Sequence, residues 1–164
     1  MPDTYTQIII QLVFAVEGRQ SLIATANQEE VNKYITGIVK NKRSRMLAVN
    51  GMPDHLHILI GLHPSQAISD LVRDIKADTN GWINKKGWVR GRFSWQEGYG
   101  AFSYSRSQLD RVVRYVLNQR EHHAKQTFKG EYLSLLRKFD IAFKSRCLSG
   151  SEGSRTYGPA GAGS

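Results

Sequence analysis

The sequence predicts an α+β fold: an antiparallel sheet packed with helices. Three observations predict it. Stretches rich in β-branched and aromatic residues alternate with amphipathic helical stretches. The turn-forming run Asn50-Gly51-Met52-Pro53-Asp54 joins two short strands, which implies antiparallel pairing. At 164 residues and 40% hydrophobic composition, the chain is long enough for one domain with a substantial core. Residues 1–147 are expected to form that domain. Residues 148–164 are expected to be a flexible Gly/Ser-rich tail, because no apolar periodicity survives from Ser149 onward.

The elements follow in order. Tyr5 to Val16 reads as a strand, and Gly18 to Thr25 as a loop. Asn27 to Lys42 reads as a helix, with Asn27 as N-cap, Glu29 and Glu30 in the first turn, and Val31, Tyr34, Ile35, Ile38 and Val39 as the inward stripe. Met46 to Val49 and the strand beginning at His55 form a hairpin across the turn. A second helix starts at Ser65 or Ser69 and reaches about Asn84, with Ile68, Leu71, Val72, Ile75 and Trp82 inward. After the basic loop Gly87 to Arg92, Phe93 to Tyr104 gives one or two short strands broken at Gly98-Tyr99-Gly100. Ser105 with Gln108 fits a capping box, starting a third helix that runs to about Thr127. Glu131 to Phe139 is a short final helix, and no internal repeat is found.

Lys and Arg number 23 against 14 Asp and Glu, a net charge of +9. The sequence pI is near 9.8. A surplus of this size can be a solvated surface, or it can serve a polyanionic partner. We favour nucleic acid. The lone Cys147 cannot form an internal disulfide, which fits a reducing cytoplasm. No apolar run is long enough to span a bilayer, since Gln11 interrupts the longest, and no charged n-region precedes an apolar core at the N-terminus. A cytoplasmic protein without a membrane association is therefore expected.

Chemistry concentrates in His55-Leu56-His57-Ile58-Leu59-Ile60. Strand side chains alternate between faces, so His55 and His57 leave from one face while Leu56, Ile58 and Ile60 anchor the other. The two imidazoles could hold one divalent cation. By itself, His-x-His on a strand is more often a surface or hydrogen-bonded pair, and as a metal pair it would suit zinc as well as other ions. On the third helix, Leu109, Val112, Val113, Val116 and Leu117 make the apolar stripe. Tyr115 lies about 130° and Gln119 about 90° from its centre, on one flank and one turn apart. Tyr115 is thus not placed as an ordinary core tyrosine.

Together, these pieces resemble the single-tyrosine HUH transposases of the smallest bacterial insertion sequences, REP-associated tyrosine transposases among them. The resemblance rests on Met52-Pro53-Asp54-His55-Leu56-His57, on Trp95-Gln96-Glu97-Gly98-Tyr99-Gly100-Ala101-Phe102-Ser103, on Tyr115-Val116-Leu117-Asn118-Gln119 with His122-His123, and on Phe128-Lys129-Gly130-Glu131-Tyr132. It covers about Tyr5 to Ala142. The resemblance implies a ferredoxin-like or RRM-like HUH fold. It implies His55 and His57 as a metal-binding pair, Gln119 as third ligand, Tyr115 as nucleophile, and Mg²⁺ or Mn²⁺ as the ion. It further implies a homodimer that cuts single-stranded DNA at hairpin ends through a 5′-phosphotyrosine and rejoins strands. Whether Tyr115 serves the metal site of its own subunit or of the partner stays open. Relatives often carry a histidine in the first strand and a basic residue just after it, where this chain has Gln11 and Glu17.

The implied roles are physically consistent. A phenol with pKa of about 10 is a weak nucleophile at neutral pH and needs help. A cation held by neutral ligands keeps its full charge for the scissile phosphate. Candidate DNA contacts are Lys42, Arg43 and Arg45, then Lys85, Lys86, Arg90 and Arg92, with Arg111, Arg114 and the glycine-flanked Tyr99. Interleaved Trp88 and Trp95 strengthen a reading as a single-strand groove, in which bases stack on aromatic faces. The competing readings are a domesticated nicking relative, a non-catalytic single-strand nucleic-acid-binding module, and a phosphodiesterase that uses water.

Overall fold

A computed structural model of the chain describes residues 3–144 and the pair 156–157. The chain divides into two compact units, Met1–Gln119 and Arg120–Ser164. The first unit holds strands β1 (Ile9–Ala15), β2 (Arg45–Met52), β3 (His55–Gly61) and β4 (Gly100–Tyr104), with helices α1 (Gln28–Asn41), α2 (Ile68–Lys86) and α3 (Leu109–Leu117). The sheet order is β2-β3-β1-β4 and every pairing is antiparallel. This is the ferredoxin-like β1α1β2β3α2β4 arrangement, followed by α3.

Both faces of the sheet are covered. On one face, Ile10, Leu12, Phe14 and Val16 of the first strand region and Leu56, Ile58 and Ile60 of β3 pack with Val31, Ile35 and Val39 of α1 and Leu71, Val72, Ile75 and Ile83 of α2. The other face packs Ile9, Ala48 and Leu59 against Val112 and Val116 of α3. The hairpin turn is tighter than the sequence suggests: β2 runs to Met52 and β3 begins at His55, leaving Pro53-Asp54 at the tip. Gly51 sits opposite Leu56, where an added Cβ would come within 3.1 Å of Leu56 Cδ1 and would press on that side chain. A bulge between Met46 and Ala48 offsets β2 against β3.

Several boundaries differ from expectation. The first strand begins at Ile9, not Tyr5. Asn27 closes a 3-10 turn, Thr25–Asn27, and makes no side-chain cap to α1. The capping box at Ser105 does form, with Gln108 Oε1 accepting from the Ser105 N–H at 3.0 Å. It opens a 3-10 turn before α3, not α3 itself. The long third helix is broken at Asn118, whose φ of −97° and ψ of 25° leave the helical region, and a short α4 (Gln119–His123) follows. Leu117 is 55% exposed and so does not belong to the apolar stripe. Trp95 is 5% exposed, packed edge-on against Phe14 and Phe93, and it donates to Thr79 Oγ1 at 2.8 Å. It is a core residue and presents no face to a nucleobase.

The second unit contains α5 (Phe128–Lys138), capped by Thr127 Oγ1, which accepts from the Gly130 N–H at 3.2 Å. Phe128, Leu135 and Leu136 are its buried apolar residues. Strand β5 (Phe143–Lys144) pairs antiparallel with β6 (Thr156–Tyr157). Apart from that pair, the expected tail 148–164 lies outside the described residues. Among the described residues no helix is long and apolar enough to cross a membrane.

Candidate active site

The face of the sheet under α3 carries a row of polar side chains in an otherwise apolar layer. Strand alternation puts His55 and His57 there, with Leu56 and Ile58 on the opposite face, as the sequence predicts. Both histidines are fully buried. Their ring centroids are 5.3 Å apart, and a ring nitrogen of one lies within 4.8 Å of a ring nitrogen of the other.

Each imidazole is anchored through Nδ1. His55 Nδ1 is 2.7 Å from Asp54 Oδ1, so the carboxylate of the turn residue just before β3 accepts a hydrogen bond from the ring N–H and orients the imidazole. His57 Nδ1 is 2.9 Å from Gln11 Nε2 on β1. Gln11 is itself fully buried, and its Oε1 accepts from the Tyr104 hydroxyl of β4 at 2.7 Å. The register explains the row. Val13 pairs with His57 and Gln11 with Leu59, while Tyr104 pairs with Ile9, so Tyr104, Gln11 and His57 are successive diagonal neighbours across three strands. Burial pushes the Tyr104 phenol up to about 12, so it acts as a neutral hydrogen-bonding group. Gln11 thus faces His57 inside the protein, which rules it out as a surface contact.

Tyr115 comes from above the sheet. Its ring meets His57 edge-on at 5.8 Å and 89°, within one chain and one compact unit. Helix α3 is held in place by Val112 and Val116 and by Asn50, which faces His57 across the β2–β3 ladder and donates to the Leu117 carbonyl at 2.9 Å. Tyr115 and Gln119 are not on one continuous helix. Instead Gln119 begins α4 and folds its side chain back across the break, with Nε2 donating to the Tyr115 carbonyl at 3.0 Å. Groups of these types, imidazole and carboxamide, suit a hard-to-borderline divalent cation.

A family profile described as Transposase IS200 like matches residues 4–119, which span every one of these residues. The chain belongs to the IS200-like transposase family. It is 21% identical to the ISDra2 transposase TnpA of Deinococcus radiodurans over 122 residues, 70% of this chain and 86% of that protein. A 1.90 Å crystal structure of a candidate transposase from Deinococcus radiodurans R1 superimposes with a TM-score of 0.53 at 20% identity, covering 73% of this chain and 96% of that one. The REP-associated tyrosine transposase bound to a REP hairpin superimposes with a TM-score of 0.57 at 15% identity, covering 75% of this chain and 73% of that one. The two structural likenesses show that the fold is shared.

The cationic residues of this transposase are dispersed. Arg43 and Arg45, with His63 and Arg106, line a cavity of about 520 Å³ between the start of β1 and the end of β3, the opposite end of β3 from His55. Lys42 pairs with Asp74 at 2.8 Å, and the hydrogen bonds from Lys42 and Arg73 hold the Asp74 carboxyl below its usual range. Lys86 pairs with Glu30 at 2.6 Å and lies over the rings of Trp82 and Trp88. Lys85, Arg90, Arg92, Arg111 and Arg114 are exposed. Tyr99 is exposed in its glycine-flanked turn, which Lys76 fixes by donating to the carbonyls of Gln96 and Gly98. In the second unit, His122 and His123 both reach the buried Glu131, at 3.0 and 3.1 Å.

The sequence reading missed Asp54, Gln11 and Tyr104 as partners of the histidines. For Asp54 a signal was present, an acidic residue directly before the His-x-His strand. For Gln11 the signal was a polar residue on the apolar first strand.

Proposed function

We propose that this transposase cuts and rejoins single-stranded DNA, with Tyr115 as nucleophile and His55, His57 and Gln119 as the ligands of a divalent cation. One observation carries the reading: Tyr115 packs 5.8 Å from the innermost of two buried imidazoles, while Gln119 is tied to the tyrosine's own carbonyl. That arrangement favours a site completed within one chain. A bound Mg²⁺ or Mn²⁺ would polarise the scissile phosphate and stabilise the charge that develops on it.

The chain supplies the rest. The Tyr115 oxygen forms a bond to phosphorus as the bond from phosphorus to the 3′-oxygen breaks. The phenol gives up its proton, and the departing 3′-oxygen takes one, leaving a 3′-hydroxyl and a 5′-phosphotyrosine. Phenolate is a better leaving group than the alkoxide it replaced, so a 3′-hydroxyl can attack the phosphotyrosine and restore a phosphodiester with no other energy source. For substrate, we infer hairpin-bearing single strands, in line with the REP hairpin bound by one structural relative. A homodimer follows from the same family reading.

The test uses labelled single-stranded hairpin DNA with Mg²⁺ and a denaturing gel. The protein is expected to carry label as a denaturant-resistant adduct, and Tyr115→Phe to lose the adduct while still binding DNA. Cleavage that survives in Tyr115→Phe would instead support a water-using phosphodiesterase.

A further inference from the structure

We propose that the cavity at the far end of β3 is a phosphate subsite, in which Arg43, Arg45 and Arg106 hold the backbone of single-stranded DNA about 20 Å from the histidine pair. The inference deepens the nuclease reading above and rests on it, because the strand held here is the one that reading would cut. The six residue steps from His55 to Gly61, at about 3.3 Å each, set the distance. It matches about six stacked nucleotides at about 3.4 Å apiece.

Strand register builds the cavity. Arg45 pairs with Gly61, Gly61 with Ile9, and Ile9 with Tyr104, so one row crosses all four strands. Gly61 adds no side chain to that row, which leaves space beside Arg45. A strand period of two puts position 61 on the same side as His55 and His57. Ile9 and Leu109 line the cavity and belong to the apolar layer under α3. The cavity and the histidines therefore lie on one face of the sheet, at opposite ends of β3.

The charges around the cavity call for an anion. Three guanidiniums line it and no carboxylate does. Among the described residues none of the three arginines forms an ion pair, whereas Lys42 pairs with Asp74 and Lys86 with Glu30. Like charges gathered around one space repel, and bound phosphates offset that repulsion through charge-assisted hydrogen bonds. Arg43 follows α1 with a φ of 62°, a left-handed conformation in which glycine is the easier occupant. A guanidinium kept there despite the strain points to a role outside folding. His63 completes the wall: its N–H donates to Ser44 Oγ at 3.0 Å, and its Nδ1 accepts from the Ser65 N–H at 3.1 Å. The volume of about 520 Å³ falls within the range of about 300–1,000 Å³ that holds whole organic ligands, more than a lone phosphate fills. The guanidiniums also come from two segments, the α1–β2 junction and the turn before α3, which suits successive phosphates of a chain.

The test measures binding of labelled single-stranded hairpin DNA to the full chain by fluorescence anisotropy, across a range of salt and in EDTA. The double variant Arg45→Gln/Arg106→Gln is expected to flatten the slope of log K against log salt by about 1.4 to 1.8, the value for two lost phosphate contacts. At about 0.15 M salt that slope corresponds to about 10–30-fold weaker binding. Lys33→Gln removes an exposed charge from α1 on the other face and is expected to leave the slope within error. Gly61→Leu keeps every arginine but fills the space, and it is expected to weaken binding as well; melting curves verify that each variant folds. Wild-type affinity and slope in the double variant would overturn the subsite. So would inorganic phosphate that binds the wild type and not the double variant while DNA affinity is equal in both, since the cavity would then serve a free anion. The adduct assay separates the two readings. A double variant with wild-type binding, beside a wild type that forms the adduct, removes the subsite and keeps the nuclease. A wild type that binds DNA through these arginines but forms no adduct keeps the subsite and removes the nuclease.

Discussion

The two faces of strand β3 divide the labour of this transposase. The side chains of Leu56, Ile58 and Ile60 point into an all-apolar layer under α1 and α2. Their alternating neighbours His55 and His57 point the other way, into a layer under α3 where Gln11, Tyr104 and Tyr115 interrupt the apolar packing. The residues of β3 itself on both faces, and Gln11 beside them, are buried, while Tyr104 and Tyr115 are half-buried, so burial alone does not distinguish core from site. What distinguishes them is how polar groups are satisfied. The first face has almost none to satisfy beyond Thr79, which takes the Trp95 N–H. The second holds hydrogen bonds that engage Nδ1 of each imidazole, from Gln11 to His57 and from His55 to Asp54. A sheet stabilised by one face can carry function on the other.

That contrast breaks most sharply at the proposed ligands. His55→Ala is expected to lower Mn²⁺ affinity by more than about 100-fold, beyond the usual outer-partner effect, and to abolish adduct formation with little loss of folding cooperativity. Calorimetry and the adduct gel measure it; unchanged affinity would reduce the polar face to ordinary core. Next, Ile58→Ala on the opposite face should cost about 2–5 kcal/mol in urea unfolding and leave cation affinity within error. A large drop in affinity there would show that the faces are not independent. A smaller effect is expected at Asn84, which brackets Phe93 by accepting from its N–H at 2.7 Å and donating to its carbonyl at 3.0 Å. Asn84→Ala should lower stability by about 1–3 kcal/mol, again sparing the site.

The smallest expected effect is a pH dependence. Burial holds the Tyr104 phenol near 12 against an ordinary 10.0. Between those values the unfolded chain loses a proton that the folded chain keeps, so stability falls as pH rises through that window. The urea midpoint of Tyr104→Phe should decline less between them than that of the wild type; parallel declines would remove Tyr104 from the account.

Local periodicity made much of this legible. The opposed faces of His55-Leu56-His57 follow from a strand period of two, and the flank position of Tyr115 from a helical period near 3.6, whatever surrounds them. The α+β class followed from alternating patterns joined by the turn-forming run Asn50-Gly51-Met52-Pro53-Asp54. The break at Asn118 was not legible, because nothing in Val116-Leu117-Asn118-Gln119 forbids a helix. Trp95 read as an exposed stacking residue because its bridge to Val16 and its bond to Thr79 depend on distant segments.

The sequence by itself determined which residues share a face and the sign of the charge, since each depends only on residue type and near-neighbour spacing. Only the tertiary structure decided that Gln11 backs His57 across 46 positions and that Tyr115 sits over the same imidazole. Those contacts depend on strand register and on where α3 docks. Both are settled by how the apolar residues of the whole sheet bury together, a property no single segment carries.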